Sequence, residues 1–195
     1  MKIKDKKNKN KITQTLAEHH KLFSKIDSKI IKEINTISKI ILRSLFNKKK
    51  IMLIGNGGSA ADCQHLATEF TIQFKKKRKA IPAIALTTDS SALTACGNDF
   101  SFNEIFSRQI EALGNSGDIL IAISTSGNSK NIIAGLKIAN KKRITTIGFL
   151  GKNGGKAKLY SKHSIIADSF KTSTIQEFHI FVGQLICEIV DEYFK

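Results

Sequence analysis

Membrane spans and clustered cysteines are both missing from this chain of 195 residues. No apolar run approaches the ~20 residues that cross a bilayer, and the lysine-rich N-terminus lacks the apolar stretch of a secretory signal. We therefore expect a cytoplasmic protein with no membrane partner. The three cysteines, Cys63, Cys96 and Cys187, are scattered and odd in number, which excludes a disulfide framework and a cysteine-rich zinc site from the expected functions.

Acidic residues are scarce, with 16 against 32 basic residues and a net charge of +16. Clustered lysines attract phosphate backbones, so the excess raises the question of a nucleic-acid partner. Most of it lies in segments that look like helix ends and loops, at residues 1–11, 48–50, 75–79 and 141–143. We therefore expect solvated lysines and no nucleic-acid partner, although the positive field would help to collect a small anionic substrate.

Proline is almost absent, with Pro82 alone, and no linker or internal repeat divides the chain. We expect a single domain over residues 12–195, preceded by a disordered basic tail over residues 1–11 that has almost nothing to bury. Apolar periodicity over residues 12–47 predicts one broken helix or two successive helices. Their apolar stripe must be buried, and because they lie outside the predicted sheet and its helices, we expect them to pack against partner subunits.

Strand and helix patterns alternate along the rest of the chain, which predicts an α/β fold. Strands buried on both faces and separated by helices indicate a three-layer sandwich with a five-stranded parallel sheet. The predicted strands are 51–54, 82–86, 118–123, 144–149 and 163–167, and the predicted helices are 59–73, 103–113, 129–141 and 173–194.

A glycine-rich turn follows the first predicted strand. Gly57 and Gly58 let the backbone turn tightly, and a helix opening at Ser59 offers unpaired N–H groups and a positive dipole end to an anion. On that helix His65 and Glu69 are four residues apart and share one face. The pair could bind a metal, transfer protons or be an ordinary surface pair, and the turn alone matches neither the dinucleotide nor the Walker A pattern.

A second polar loop follows the third predicted strand at residues 124–129. Its hydroxyl side chains and the helix N-terminus behind it suit a phosphoryl group. A simple N-cap would need only one hydroxyl, whereas this loop has four, at Ser124, Thr125, Ser126 and Ser129. Two such loops at the C-terminal ends of strands indicate a ligand in the crevice outside the sheet.

These motifs, in this order, resemble the sugar isomerase (SIS) domain proteins and more closely the phosphoheptose isomerases. The resemblance covers roughly residues 12–194. The segments that carry it are residues 55–60 with Gln64, His65 and Glu69, then Cys96–Asp99, Phe106–Arg108, Ser124–Ser129 and Ile175–Glu177.

The resemblance implies a flavodoxin-like sheet and a homotetramer. The implied activity is an aldose–ketose isomerase that converts D-sedoheptulose 7-phosphate to D-glycero-D-manno-heptose 7-phosphate, at the start of nucleotide-heptose biosynthesis for surface polysaccharide. The implied substrate contacts are Asn56, Gly57, Gly58, Ser59, Asn98, Asp99, Ser124, Thr125, Ser126, Ser129 and Gln176.

The resemblance also implies one Zn²⁺ per subunit, held by His65, Glu69, Gln176 and a fourth ligand eight residues after that glutamine. The family has a histidine there, whereas this chain has Gln184. A glutamine carbonyl ligates a metal weakly, and its amide cannot accept and return a proton near neutral pH. His179 does not substitute, because five helical residues turn it roughly 140° away from Gln184.

The chemistry of such an isomerase is proton transfer through an enediol or enediolate. We hypothesise that Glu69 is the base and that His65, with a metal where one is bound, polarises the substrate oxygens. Two alternatives remain open: a non-catalytic SIS homologue that binds a partner protein, as in the replication-initiator-associating branch, and a module that senses or isomerises another phosphosugar. His65 and Glu69 favour the enzyme, whereas Gln184 favours a binding module.

Overall fold

Five parallel strands form the single sheet of the computed structural model, which describes residues 5–194. The strand order is β2-β1-β3-β4-β5, and the five predicted strands are confirmed. Strands β1 and β3 are buried over their whole length, because helices cover both faces of a parallel sheet. The strand bounds are β1 (Ile51–Gly55), β2 (Ala83–Ala85), β3 (Ile119–Ser124), β4 (Thr145–Gly151) and β5 (His163–Ala167).

Seven α-helices lie within residues 5–194, together with 3₁₀ turns at Phe102–Glu104 and Lys156–Tyr160. The helix bounds are α1 (Asp5–Phe23), α2 (Ser28–Phe46), α3 (Gly58–Thr71), α4 (Ser90–Asp99), α5 (Ile105–Leu113), α6 (Lys130–Lys141) and α7 (Thr172–Asp191). None of the helices in this described range is long and apolar enough to cross a bilayer.

Alternate residues of each strand belong to opposite layers of the sandwich, as the two-residue period of a strand requires. Ile51 and Leu53 pack in a core with α2, α3 and α7, whereas Met52 and Ile54 pack in a second core with α4, α5 and α6. The sheet is thus covered on both faces, and the predicted three-layer sandwich is confirmed.

Helix α2 is part of the sandwich, contrary to the prediction that both N-terminal helices lie outside it. Its buried residues include Ile34, Ile37 and Ile41, and they share a core with α7. Asp27 caps α2 by accepting hydrogen bonds from the amides of Lys29 and Ile30 at 3.0 and 2.9 Å. Helical periodicity indicates that an apolar stripe is buried but not what covers it. For this reason the sequence analysis assigned the stripe of α2 to a partner subunit instead of to α7.

Helix α1 begins at Asp5, so residues 5–11 are helical where the sequence predicts a disordered tail. Residues 1–4 of that predicted tail lie outside the described residues. No glycine or proline interrupts the chain from Asp5 to Phe23, and lysine is a good helix former even when its side chain has nothing to bury. Low hydrophobicity therefore misled the prediction for this segment.

Candidate active site

The crevice of the molecule lies where the strand order reverses, between β1 and β3. Helix α3 leaves β1 toward one layer, and helix α6 leaves β3 toward the other. The two loops between these strands and helices therefore separate at the carboxyl end of the sheet, the usual ligand position in open α/β sheets. Both predicted polar loops lie at this point.

The first loop presents backbone rather than side chains. Gly57 is the N-cap of α3 at φ 55°, so no side chain caps the first amides of the helix. Gly58 lies directly under Gln176 of α7, because a Cβ built on it would stand 2.3 Å from the Gln176 Nε2. Ser59 is buried in the same turn. Only glycine at position 58 allows the Gln176 amide to approach this helix N-terminus.

The second loop presents hydroxyl groups. The Ser124 Oγ accepts a hydrogen bond from the Gly127 N–H at 3.2 Å, and the Ser126 Oγ accepts one from the Asn128 N–H at 3.1 Å, so both hydroxyl hydrogens remain available to donate. Thr125 and Ser129, the N-cap of α6, have no side-chain hydrogen bond to the described residues. The loop therefore offers four hydroxyl donors beside a helix N-terminus.

A pair of asparagines joins the two loops. Each side-chain amide of Asn56 and Asn131 donates to the other's carbonyl oxygen, at 2.9 and 2.8 Å. The Asn131 oxygen also accepts from the Ile132 N–H at 2.9 Å, which anchors it to the start of α6. Asn56 therefore holds the loops together in this structure. The sequence interpretation overlooked Asn131, because its position in the sequence does not show that it contacts Asn56.

A third loop, after β4, packs against the second loop, residues 124–129, which we call the hydroxyl loop. Gly127 has φ 64°, and a Cβ on it would lie 2.0 Å from the Gly154 oxygen. The Gly127 oxygen accepts a hydrogen bond from the Ala157 N–H at 2.8 Å, and the Asn128 Oδ1 accepts from the Lys156 N–H at 3.0 Å. The shape of the hydroxyl loop is thus fixed by backbone contacts that require glycine.

The predicted acid–base pair forms, and Gln184 joins it. The His65 Nε2 lies 2.8 Å from the Glu69 Oε1 and 3.5 Å from the Gln184 Nε2. The Glu69 side chain is 16% exposed and that of His65 is 49% exposed, so the group faces solvent at its His65 side. A carboxylate, an imidazole and an amide therefore meet between α3 and α7.

Asp62 is a functional candidate that the sequence interpretation missed. It lies one turn before His65 on α3, and its buried Oδ2 has no hydrogen-bond partner among the described residues. Burial raises the pKa of this carboxyl, and the neighbouring His65 charge only partly offsets that effect. Its i, i+3 spacing from His65 was the available signal.

Two predicted substrate contacts, Asn98 and Asp99, lie apart from this group, as does His179, which the sequence analysis rejected as a ligand. Asn98 and Asp99 end helix α4, where the Asn98 amide donates to the Asp99 carboxylate at 2.7 Å, and no hydrogen bond joins them to the other described site residues. His179 is buried against Phe149 and does not reach Gln184, in agreement with the expected helical rotation.

The donor set for a metal consists of two strong ligands and two weak ones. Within residues 5–194, no three His, Cys, Asp or Glu residues are placed so that they could hold a metal ion together. His65 and Glu69 are ligand types that zinc prefers, and amide oxygens of Gln176 and Gln184 would supply the rest. The structure brings His65, Glu69 and Gln184 together, whereas the Gln176 amide lies at Gly58. One imidazole and one carboxylate are suitable ligands for zinc, and the amides are weaker ones.

Comparison with known proteins places this site in a family context. The SIS domain family model matches residues 16–151. The chain is similar to a phosphoheptose isomerase of Nitratiruptor sp., with 49% identity over 94% of this chain and 98% of the relative. It is similar to another of Aquifex aeolicus, with 51% identity over 82% and 84% of the two chains.

Solved structures show the same likeness. The phosphoheptose isomerase of Neisseria gonorrhoeae superimposes with a TM-score of 0.88 at 37% identity, over 94% of this chain and 98% of that one. The isomerase of Francisella tularensis superimposes with a TM-score of 0.91 at 30% identity, over 95% and 98%. The match therefore extends over nearly the whole chain.

Proposed function

Because the chain belongs to the SIS domain family, and within it to the phosphoheptose isomerases, we propose a role for each part of its site in the reaction of that family. The chain is an aldose–ketose isomerase that converts D-sedoheptulose 7-phosphate to D-glycero-D-manno-heptose 7-phosphate for heptose biosynthesis. The observation that carries this conclusion is the match to phosphoheptose isomerases over nearly the whole chain. This match does not favour the alternative of a non-catalytic homologue that binds a partner protein.

The hydroxyl loop binds the phosphate in this proposal. Ser124, Thr125, Ser126 and Ser129 each have a hydroxyl hydrogen to donate, and the N-terminus of α6 adds the positive end of its dipole. The first loop, with Gly57 and its uncapped amides, binds the polar groups of the sugar. Since phosphate and sugar would then span the crevice between the loops, the reacting carbons would lie toward α3.

Glu69 removes the proton from the carbon beside the carbonyl. Its carboxylate is held by His65, which fixes its orientation on the face of α3 that carries Asp62. The electron pair left by that proton forms the enediolate, whose oxygens His65 polarises. Return of the proton to the neighbouring carbon completes the exchange of aldose and ketose.

Asp62 supplies the matching acid. Its raised pKa means that it keeps its proton to a higher pH than an exposed carboxyl does. Two carboxyl groups on one helix with different surroundings are the usual arrangement for a base and an acid in one site. Asp62 would protonate the carbonyl oxygen while Glu69 acts at carbon, and it would recover a proton from the neighbouring hydroxyl as the new carbonyl forms.

A zinc ion would be held by His65 and Glu69, with amide oxygens of Gln176 and Gln184 completing the set. When bound, zinc polarises carbonyl and hydroxyl oxygens as a Lewis acid. Replacement of Gln184 by histidine should tighten zinc binding, because imidazole is the stronger donor. Calorimetric titration of zinc into metal-stripped protein measures this directly, and equal affinity in both proteins would contradict the ligand assignment.

The protein acts as a homotetramer in the cytoplasm in this proposal. Apolar side chains of α1 are exposed on the single chain, including Ile12 and Leu16, and burial of such a stripe is a common reason for assembly. The charge of a sugar phosphate prevents it from crossing the hydrocarbon core of a membrane. We therefore place the enzyme in the cytoplasm, the compartment in which its substrate would be made.

The test of the proposed function is turnover of sedoheptulose 7-phosphate, followed by NMR with metal-stripped and zinc-supplied protein. The variant Glu69→Gln keeps the size of the side chain and removes the base, so turnover should fall by about 10²–10⁴-fold. Unchanged thermal unfolding of the variant would show that the fold is intact. Full turnover by Glu69→Gln would contradict the assignment of the base.

A further inference from the structure

Two of the lysine-rich segments, at residues 48–50 and 141–143, lie with Lys162 at one edge of the fold. In a parallel sheet, residues that precede the strands share the amino edge, opposite the crevice. Lys48–Lys50 precede β1, Lys142 and Arg143 precede β4, and Lys162 precedes β5. Since β1, β3, β4 and β5 are consecutive in the sheet, these cations line up along one end of the molecule.

A cleft of about 540 Å³ opens among them. Its cationic walls are Arg43 from the end of α2, Lys49 from the turn before β1, and Lys162 from the turn before β5. The stem of Lys49 runs over Gly117, whose φ is 87° and whose missing Cβ would stand 3.1 Å from the Lys49 Cε. The backbone at Gly117 thus leaves room for that lysine along the cleft.

The charges of the cleft are not neutralised within the protein. Among residues 5–194, the side chains of Arg43, Lys49 and Lys162 form no salt bridge and no hydrogen bond. The nearby acids are already engaged: Asp118 pairs with Lys50 at 2.6 Å, and Glu33 accepts from His163 at 3.0 Å. Three free cations from three separate elements therefore face one concave space.

We propose that this cleft binds a small anion with two or more linked phosphates. Linked phosphates carry enough charge and oxygen atoms to contact cations on several walls at once, through charge-assisted hydrogen bonds. The volume lies in the range of small-molecule sites, and the concave shape favours a compact anion over a nucleic-acid backbone. The site is separate from the hydroxyl loop, which lies at the carboxyl edge of the same sheet.

Calorimetric titration with pyrophosphate tests the proposal on the full chain. The triple variant Arg43→Gln, Lys49→Gln, Lys162→Gln should bind pyrophosphate at least about tenfold more weakly than the wild type, because charge-assisted contacts are lost. Its turnover of sugar phosphate should be unchanged, since these residues lie outside the crevice. Failure of the wild type to bind pyrophosphate at millimolar concentration would overturn the proposal.

Two control variants separate this site from other causes of anion binding. Lys7→Gln, Lys9→Gln, Lys11→Gln removes the same charge from α1, and equal loss of binding there would mean a general field effect and overturn the proposal. Thr125→Val alters the substrate loop, and loss of pyrophosphate binding in this variant alone would assign the anion to that loop instead. Binding of a short single-stranded oligonucleotide without binding of pyrophosphate would also overturn it.

Discussion

Asp62 and Glu69 lie on one helix, one before and one after His65, but their carboxyl groups have different surroundings. Glu69 has a hydrogen-bond partner in His65, whereas the buried Oδ2 of Asp62 has none among the described residues. A buried and unpaired carboxylate destabilises the folded protein. Asp62 is therefore a residue at which stability and activity should respond in opposite directions.

The variant Asp62→Asn should unfold at a higher temperature than the wild type near neutral pH and should turn over substrate more slowly. Because the folded pKa is raised, the folded state binds more protons, and wild-type stability falls as pH rises from about the ordinary value of 3.8 through the folded pKa. The gain in stability should therefore vanish at low pH. Thermal unfolding at several pH values measures it, and a difference that stays constant with pH would contradict the burial of an unpaired carboxylate as its cause.

His179 should make the protein sensitive to mild acid. Burial lowers the pKa of this imidazole from 6.5 to about 4, so the unfolded state binds more protons and stability is lost as pH falls from 6.5 toward 4. The loss should be about 3 kcal/mol. The variant His179→Leu should lack this part of the pH dependence in urea unfolding, and an unaltered acid profile would contradict the prediction.

At the scale of elements, a buried ion pair ties α3, α7 and the loop between α3 and β2. The guanidinium of Arg78 bonds to the Asp191 carboxylate and donates to the carbonyl oxygens of Glu69 and Phe70, at 2.6 and 2.8 Å. Burial alone would raise the pKa of Asp191, but the hydrogen bonds from Arg78 and from two loop amides lower it. The pair thus fixes the backbone from which Glu69 projects.

Removal of both members of this pair should cost less unfolding free energy than the two single removals added together. The variant Arg78→Met leaves the Asp191 carboxylate buried without its partner and should lose about 3–5 kcal/mol of unfolding free energy. The double variant with Asp191→Leu should be less destabilised than the sum of the single changes. Urea unfolding of all four proteins completes the cycle, and simple additivity would contradict a direct coupling.

Strands were the elements best predicted from sequence, because β1 and β3 are continuous apolar runs that only a doubly covered sheet accommodates. Helix α4 was missed: it has ten residues, contains Gly97 and buries only Cys96 fully, so its periodicity is weak. At the site, the hydroxyl loop and the His65–Glu69 pair followed from local spacing. Asn131 and Arg78 depend on contacts between distant segments, which spacing alone does not indicate. Asp62 was missed although its i, i+3 spacing from His65 places both on one face of α3.

At the scale of the whole molecule, α1 is a helix whose apolar side chains are only partly covered by its own chain. Its last turn packs on α7 through Leu22 and Phe23. Ion pairs add to this contact, His19 with Glu177 and Glu18 with Lys171. Ile12 and Leu16 remain 61% and 65% exposed. Apolar side chains exposed on the part of a helix that its own chain does not cover are typical of a surface that a second subunit covers.

Charge placed on this surface should dissociate the assembly. Leu16→Glu would bring a carboxylate into the apolar contact, and burial of an unpaired charge opposes association. Light scattering after size exclusion should give about four times the 21.5 kDa chain mass for the wild type and a smaller species for the variant. The matched control is Leu159→Glu, an equally apolar residue that is 79% exposed on the 3₁₀ turn Lys156–Tyr160, which should stay assembled. A wild-type monomer, or dissociation by both changes alike, would contradict the role of α1.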